Sequence, residues 1–378
     1  MNNANERVHL PIVVLRGSAR QMGRAFAAID PARVHEIYAT RLKRLIDYCA
    51  EDGIAVTEDD AAAVARECLP IVEAYSISNF DEYQGIADTT GMPLEKVWMI
   101  SAHTDLRDYL RFKNGQVEFG KNGGGTAKQG GELEGCTTFY TGADATISRK
   151  VLVGQTWDLG TEDMAHVILQ HRKPDDGPEC YTITVSGALP MIGMNEHGVC
   201  CDTNDLNPGD GRLGVCYIDV LASALKTDNL SDALNAVIYA PRMSGHNFLF
   251  ADGVGLVAEI EATAHRHAAW PLERGVFVHT NHYVDPKLAR IERTHPPSSE
   301  PRRYRMHMLL QSAIGKLDVE TIQAAMSDRQ GEFPINRYDN DGMSTNACLI
   351  MSPVDRLFTA CRGQADRGAW LTMDFEME

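Results

Sequence analysis

The sequence predicts an α+β protein with layered antiparallel sheets, and three observations carry that expectation. Apolar residues recur at helical spacing through the first 112 residues. From residue 136 the chain changes to short β-branched and aromatic runs. The turns joining several of those runs, such as Glu-His-Gly and Ala-Asp-Gly, suit hairpins better than parallel crossovers. Strands set between groups of helices argue for packed layers around a common core.

The helical segments come first. ARQMGRAFAAI is followed by PARVHEIYATRLKRLIDYCA, with Pro31 at a first-turn position. The stretch from Thr57 to Asp88 opens with a capping signal, Thr57 three residues before Asp60, and a further helix starts at Pro93. From Asn114 to Gly131, seven glycines in eighteen residues leave almost nothing to bury, which reads as an exposed linker. No GK-Ser/Thr follows and no helix opens there, so it does not read as a phosphate loop.

Strands are expected at CTTFYTG, KVLVGQTWD, AHVILQH, ECYTITVSG, MIGMNEHGVCCDTN, HNFLFADGVGLVAEIEA and GVFVHTN. Helical stretches interrupt them at GVCYIDVLASALKTDNLSDALNAVIYA, at Pro286 to Gly315 and at VETIQAAM. STNACLIMSP, RLFTACR and AWLTMDF close the chain.

The 378 residues are 44% hydrophobic and 23% charged, the profile of an ordinary globular chain. A formal charge of -16 would repel nucleic acid and an anionic membrane surface alike. The apolar stretch from Leu10 to Leu15 lacks the flanks of a signal peptide, and no run of 18 apolar residues exists. Nine scattered cysteines without a CxxC fit neither a disulfide framework nor a zinc cage, and suit a reducing cytoplasm.

Cys136 stands where the linker meets the first strand, after Gly135 and before Thr137 and Thr138. The plain reading is a small buried hydrophobe at a strand start. Breaking the Gly135-Cys136 bond would instead create a thiol and an α-amine on one residue. An α-amine titrates at about 7.7–8.0, so near neutral pH it can take the thiol proton without a histidine. Other clusters read more plainly. His279 and His282, with His246 as a third, could suggest a metal, but in an extended chain the first two point to opposite faces. Cys200 and Cys201 read as buried strand residues, and Asp202, Asp205 and Asp210 as a solvated loop.

EGCTTFY, GQTWDLG, MNEHGVCCDTN and VHTNHY, in that order, resemble the acyl-coenzyme A:6-aminopenicillanic acid acyltransferase family, peptidase family C45, of the N-terminal-nucleophile hydrolase superfamily. GSARQMGRAFA is similar to that family's amino-terminal segment, and the MNEHG turn also resembles choloylglycine hydrolases. The resemblance implies a four-layer αββα sandwich and one domain made as a precursor, cut at Gly135-Cys136 into a mainly helical chain 1–135 and a catalytic chain 136–378. It implies Cys136 as proteolytic agent and mature nucleophile, Asp158 near the new amine, and Asn281 as an oxyanion-hole amide. Asn204, or Asp205 beside it, matches a polar position of the choloylglycine relatives, and Asn204, Thr137 and Thr138, the last two directly after the nucleophile, are candidates for the oxyanion site or its support. The family's late arginine has only Arg337 as a loose counterpart, while Trp157, Ser344 and Thr345 are pocket candidates.

The expected activity is therefore self-processing cysteine amidohydrolysis or acyl transfer on a small N-acyl amide or acyl thioester. No cofactor is expected, and water is the economical acceptor because no coenzyme A site is recognisable. The expected partners are the small-molecule substrate and the two chains of one precursor, with a homo-oligomer left open. The alternatives are an uncleaved, non-catalytic binding relative and an uncleaved thiol hydrolase using a base such as His282.

Overall fold

The computed structural model describes residues 7–115, 135–340 and 342–375. Most of the expected 114–131 linker lies outside them.

The amino-terminal strand β1 (Ile12–Gly17) leads into five helices: α1 (Ala19–Ile29), α2 (Pro31–Glu51), α3 (Glu58–Tyr75), α4 (Ile77–Thr90) and α5 (Leu94–Lys113). Their starts follow the local chemistry. Ser18 caps α1 in a capping box with Gln21, Asp30 caps α2 ahead of Pro31, and Thr57 caps α3 with Asp60. The segment expected as one helix beyond Thr57 is two. Ser76 is extended and its hydroxyl caps α4 by accepting from the Asn79 amide, so the side chain takes over where the helical ladder stops.

The rest of the chain supplies β2 (Gly135–Thr141), β3 (Leu152–Gly160), β4 (Val167–Pro174), β5 (Cys180–Val185), β6 (Ile192–Asn195) and β7 (Cys200–Leu206). Next come α6 (Tyr217–Ala224), α7 (Leu230–Ile238), β8 (Gly245–Ala251), β9 (Val257–Ala262), β10 (His267–Pro271) and β11 (Val276–His279). The last elements are α8 (Ser299–Ser312), α9 (Val319–Met326), β12 (Met343–Ser352), β13 (Leu357–Arg362) and β14 (Leu371–Asp374). The helix expected from Pro286 to Gly315 is confined to α8 and a short 3-10 turn, Ala289–Ile291. Pro296 and Pro297 hold the intervening chain out of helical conformation.

Two sheets result. One has eight strands in the order β1-β4-β5-β6-β7-β8-β9-β10; the other has six, β11-β2-β3-β12-β13-β14. Every neighbouring pair is antiparallel except β1 with β4, a parallel edge pair that the helical reading of the first 112 residues did not anticipate. The sheets pack face to face, with β2 and β3 against β7. Helices α8 and α9 cover the outer face of the six-stranded sheet through Met306, Leu310, Ile322 and Met326. Helix α5 lies under the eight-stranded sheet and is buried continuously from Val97 to Asp108, because α2, α3, α4 and α6 surround its other sides. The architecture is thus a four-layer αββα sandwich. One apolar cluster runs from α2–α5 through both sheets, so the amino-terminal helices share the main core.

Candidate active site

Cys136 is the second residue of β2, the strand next to the edge of the six-stranded sheet, and its side chain is buried. It pairs with Trp157, while Gly135 pairs with Asp158. Side chains alternate along a strand, so Cys136 and Trp157 share the face toward the eight-stranded sheet and Asp158 takes the other.

The backbone amide of Cys136 donates to Asn281 Oδ1 at 2.9 Å. Arg302 reaches the same atom through Nη2 at 2.9 Å, and through Nη1 donates to the Cys136 carbonyl at 2.8 Å and Thr137 Oγ1 at 3.0 Å. Asn281 Nδ2 donates to the Asp205 carbonyl at 3.0 Å. A guanidinium and a backbone N–H only donate, and a carbonyl only accepts, so these partners determine which way the amide points. Asn281 therefore turns its oxygen toward Cys136. Arg302 supplies a side-chain donor to this residue's carbonyl.

Gly135 has a steric reason to be glycine. A Cβ there would lie 3.2 Å from Arg302 Nη2 and 3.3 Å from Arg337 Cζ, tighter than most side-chain contacts allow. Arg337 forms an ion pair with Asp158, Nε to Oδ2 at 3.5 Å, and Thr345 Oγ1 donates to Asp158 Oδ1 at 2.7 Å. Thr345 Oγ1 also accepts from the Arg337 amide at 2.9 Å. Asp158, Arg337 and Thr345 thus form one buried group beside Gly135. Ser344 turns away, donating to Asn346 Oδ1 at 2.7 Å.

Asn204 faces the gap between the sheets and accepts from Thr138 Oγ1 and Asn247 Nδ2, each at 2.9 Å. It meets Thr138 rather than the thiol. Asp205, next along β7, points to the opposite face, where Arg107 of α5 holds its carboxylate at 2.9 Å while its carbonyl holds Asn281. The expected solvated acidic loop is therefore corrected: Asp202 and Asp205 lie in a strand at the centre of a sheet, and Asp202 is fully buried. Asp210 is also engaged, accepting from Thr263 Oγ1 at 2.8 Å.

The histidines do not point to opposite faces. β11 ends at His279, the chain turns, and the rings of His279 and His282 stack with centroids 6.3 Å apart. His279 Nδ1 faces the Thr280 carbonyl and Nε2 faces Glu261 Oε1, each at 2.7 Å, so both ring nitrogens have acceptors. His282 Nδ1 contacts Ser299 Oγ at 2.7 Å. Burial, with His279, His295, Arg303 and Arg302 nearby, pushes the His282 imidazole down to about 3, which makes it a poor base near neutral pH. No cluster of three or more His, Cys, Asp or Glu suited to a metal occurs among the described residues.

Sequence reasoning missed Arg302, Ser299 and Arg107. Ser299 Oγ accepts from the Asn281 amide at 2.8 Å and so fixes that residue's backbone. A signal for Arg302 was present: Ser299, Arg302, Met306 and Leu310 form the buried stripe of α8, and an arginine on such a stripe needs acceptors inside.

The family model for acyl-coenzyme A:6-aminopenicillanic acid acyl-transferase matches residues 146–367, which begins after Cys136. A relative from Emericella nidulans, the 40 kDa form of acyl-coenzyme A:6-aminopenicillanic-acid-acyltransferase, is 22% identical over 311 residues, 78% of this chain and 76% of that one. Among solved structures, a single-residue variant of conjugated bile acid hydrolase from Clostridium perfringens matches at 13% identity and TM-score 0.44, covering 64% of this chain and 97% of that one. Penicillin V acylase from Agrobacterium tumefaciens matches at 12% identity and TM-score 0.43, covering 63% and 86%.

Proposed function

The chain belongs to the acyl-coenzyme A:6-aminopenicillanic acid acyl-transferase family, and from that premise we propose a self-processing cysteine amidohydrolase or acyltransferase acting on small N-acyl amides. The observation that carries the proposal is the brace on Cys136: Asn281 Oδ1 on its amide, Arg302 on its carbonyl, and two guanidiniums against Gly135.

Processing starts with attack of Cys136 Sγ on the Gly135 carbonyl. The acyl group moves from nitrogen to sulfur and water hydrolyses the thioester, leaving a carboxylate on Gly135 and an α-amine on Cys136. The nitrogen released is the one already held by Asn281 Oδ1. In the mature enzyme that oxygen keeps the amine in place as the base for the thiol proton, so Asn281 first serves the amine. Its remaining Nδ2 hydrogen and the positive charge of Arg302 favour the negative tetrahedral intermediate. Substrate attack then gives an acyl-Cys136 thioester and a free amine, and water or an acceptor amine takes the acyl group.

The test is mass spectrometry of purified protein together with turnover of a panel of N-acyl amides and acyl thioesters, with and without an added amine. A heavy chain beginning at Cys136, with amide turnover lost in Cys136→Ala, is the expected result. An intact 378-residue mass in active protein would overturn the mechanism. An intact, inactive chain would favour a binding relative.

A further inference from the structure

A cavity of about 450 Å³ opens where β1, the α1–α2 corner and β13 meet. Leu10, Phe26, Val34 and Ile168 supply apolar walls, and Arg33 and Arg362 stand on its lining. The two cations are treated differently by the fold. Arg33 pairs with Asp30 at 3.2 Å and donates to the Ala165 carbonyl. Among the described residues, Arg362 has no side-chain hydrogen-bond or ion-pair partner, and its Nε is out of contact with solvent. Burial and the neighbouring Arg33 push its guanidinium below the ordinary arginine range, the signature of a charge these residues do not compensate.

The cavity is separate from the nucleophile. Cys136 pairs with Trp157, Trp157 with Ala347 and Ala347 with Arg362 across four neighbouring strands. At about 4.8 Å per strand, Arg362 starts roughly 14 Å from Cys136. Trp157 and Ala347, both buried, fill the interval.

We infer that this cavity binds an aliphatic carboxylate, its head on Arg362 and its chain along Leu10, Phe26, Val34 and Ile168. Asp30 offsets Arg33, so one uncompensated positive charge remains on the described lining, which matches a monoanion better than a phosphate dianion. A guanidinium also takes a carboxylate through two parallel hydrogen bonds. The volume lies within the range of small-molecule sites, and the walls demand an apolar tail. The inference does not depend on the chemistry at Cys136.

The experiment is isothermal titration of the purified protein with octanoate, 1-octanol and octyl phosphate. Arg362→Met, Ile29→Glu and Cys136→Ala are titrated in parallel. Ile29 lines the cavity and is 52% exposed, so a glutamate there adds repulsion without disturbing the core. Saturable octanoate binding is expected, at least tenfold tighter than either comparator. It should weaken at least tenfold in Arg362→Met and Ile29→Glu and be unchanged in Cys136→Ala. Any one of five results would overturn the inference: no saturable octanoate binding at millimolar concentration, octanol or octyl phosphate binding equally well, wild-type affinity in a folded Arg362→Met, wild-type affinity in Ile29→Glu, or loss of binding in Cys136→Ala. If Arg362→Met does not fold, Ile29→Glu alone decides.

Discussion

At the scale of single residues, the site turns on which atom faces Cys136. An oxyanion-hole role for Asn281 was the expectation from resemblance, yet its oxygen accepts from the Cys136 amide and Arg302. If that oxygen orients the freed amine, Asn281→Ala should lower turnover by about 10²-fold, the lower end of what a positioned base contributes, with the chain still folded but melting lower because Arg302 and the Asp205 carbonyl lose a buried partner. Steady-state kinetics beside a melting curve separate this from loss of fold. His282 gives a second prediction. With its imidazole held down to about 3 by burial and neighbouring positive charge, it stays neutral throughout pH 5–8. The pH profile of His282→Gln should therefore keep the parent's midpoints even if its rate falls. A displaced midpoint would show that His282 takes part in proton transfer.

At the scale of elements, β7 and α8 do the positioning. β7 presents the Asp205 carbonyl to Asn281 and its carboxylate to Arg107 of α5, so one residue ties the helix layer to the site. Arg107 is 3% exposed and also pairs with Asp108 at 2.8 Å. Replacing it leaves the buried Asp108 and the half-buried Asp205 carboxylates without their closest cation, a loss of about 3–5 kcal/mol for a broken buried pair. Arg107→Met should thus be strongly destabilised in denaturant titrations. Asp205→Asn keeps both the carbonyl and the Arg107–Asp108 pair and should be clearly milder. Equal losses would show that the Asp205 carboxylate, not the arginine, is the indispensable partner. The capped starts of α1, α2 and α3 were legible because caps are local chemistry. The Ser76 break was not, since one serine inside an apolar periodicity competes with the helix only weakly in sequence.

At the scale of the molecule, strand β1 and the core shared by α2–α5 and both sheets anchor residues 7–115 to the rest. A cut after Gly135 should leave one particle under native conditions and two chains, 1–135 and 136–378, under denaturing ones. Size-exclusion chromatography paired with denaturing electrophoresis checks this, and separation of the fragments in native buffer would refute the shared core as the anchor. The eight-stranded sheet yields a pH prediction. Asp202 and Glu259 are fully buried in it, and burial pushes both carboxyls well above the ordinary carboxylate range. The folded state then keeps two protons that the unfolded chain loses above about pH 4. Stability falls as pH rises from there toward the folded values, by about 1.4 kcal/mol per group per pH unit. Asp202→Asn and Glu259→Gln should each melt higher than the parent at pH 8, with the gain shrinking toward pH 4.

The sequence by itself determined the layered α+β class, the sites of most elements and the candidacy of Cys136, because periodicity, caps and the Gly135-Cys136 junction are written in neighbouring residues. It also brought Asp158, Asn281, Arg337 and Thr345 into consideration. Tertiary structure alone decided how they meet. Arg302 lies 166 residues from Cys136, Arg107 lies 98 from Asp205, and Asn281 lies 145 from Cys136. Such pairings depend on sheet register and helix placement, which no local pattern encodes. The same holds for the parallel pairing of β1 with β4, the stacking of His279 on His282 and the burial of Asp202. Each follows from where a strand sits within its sheet, and the packing of the whole chain sets that position.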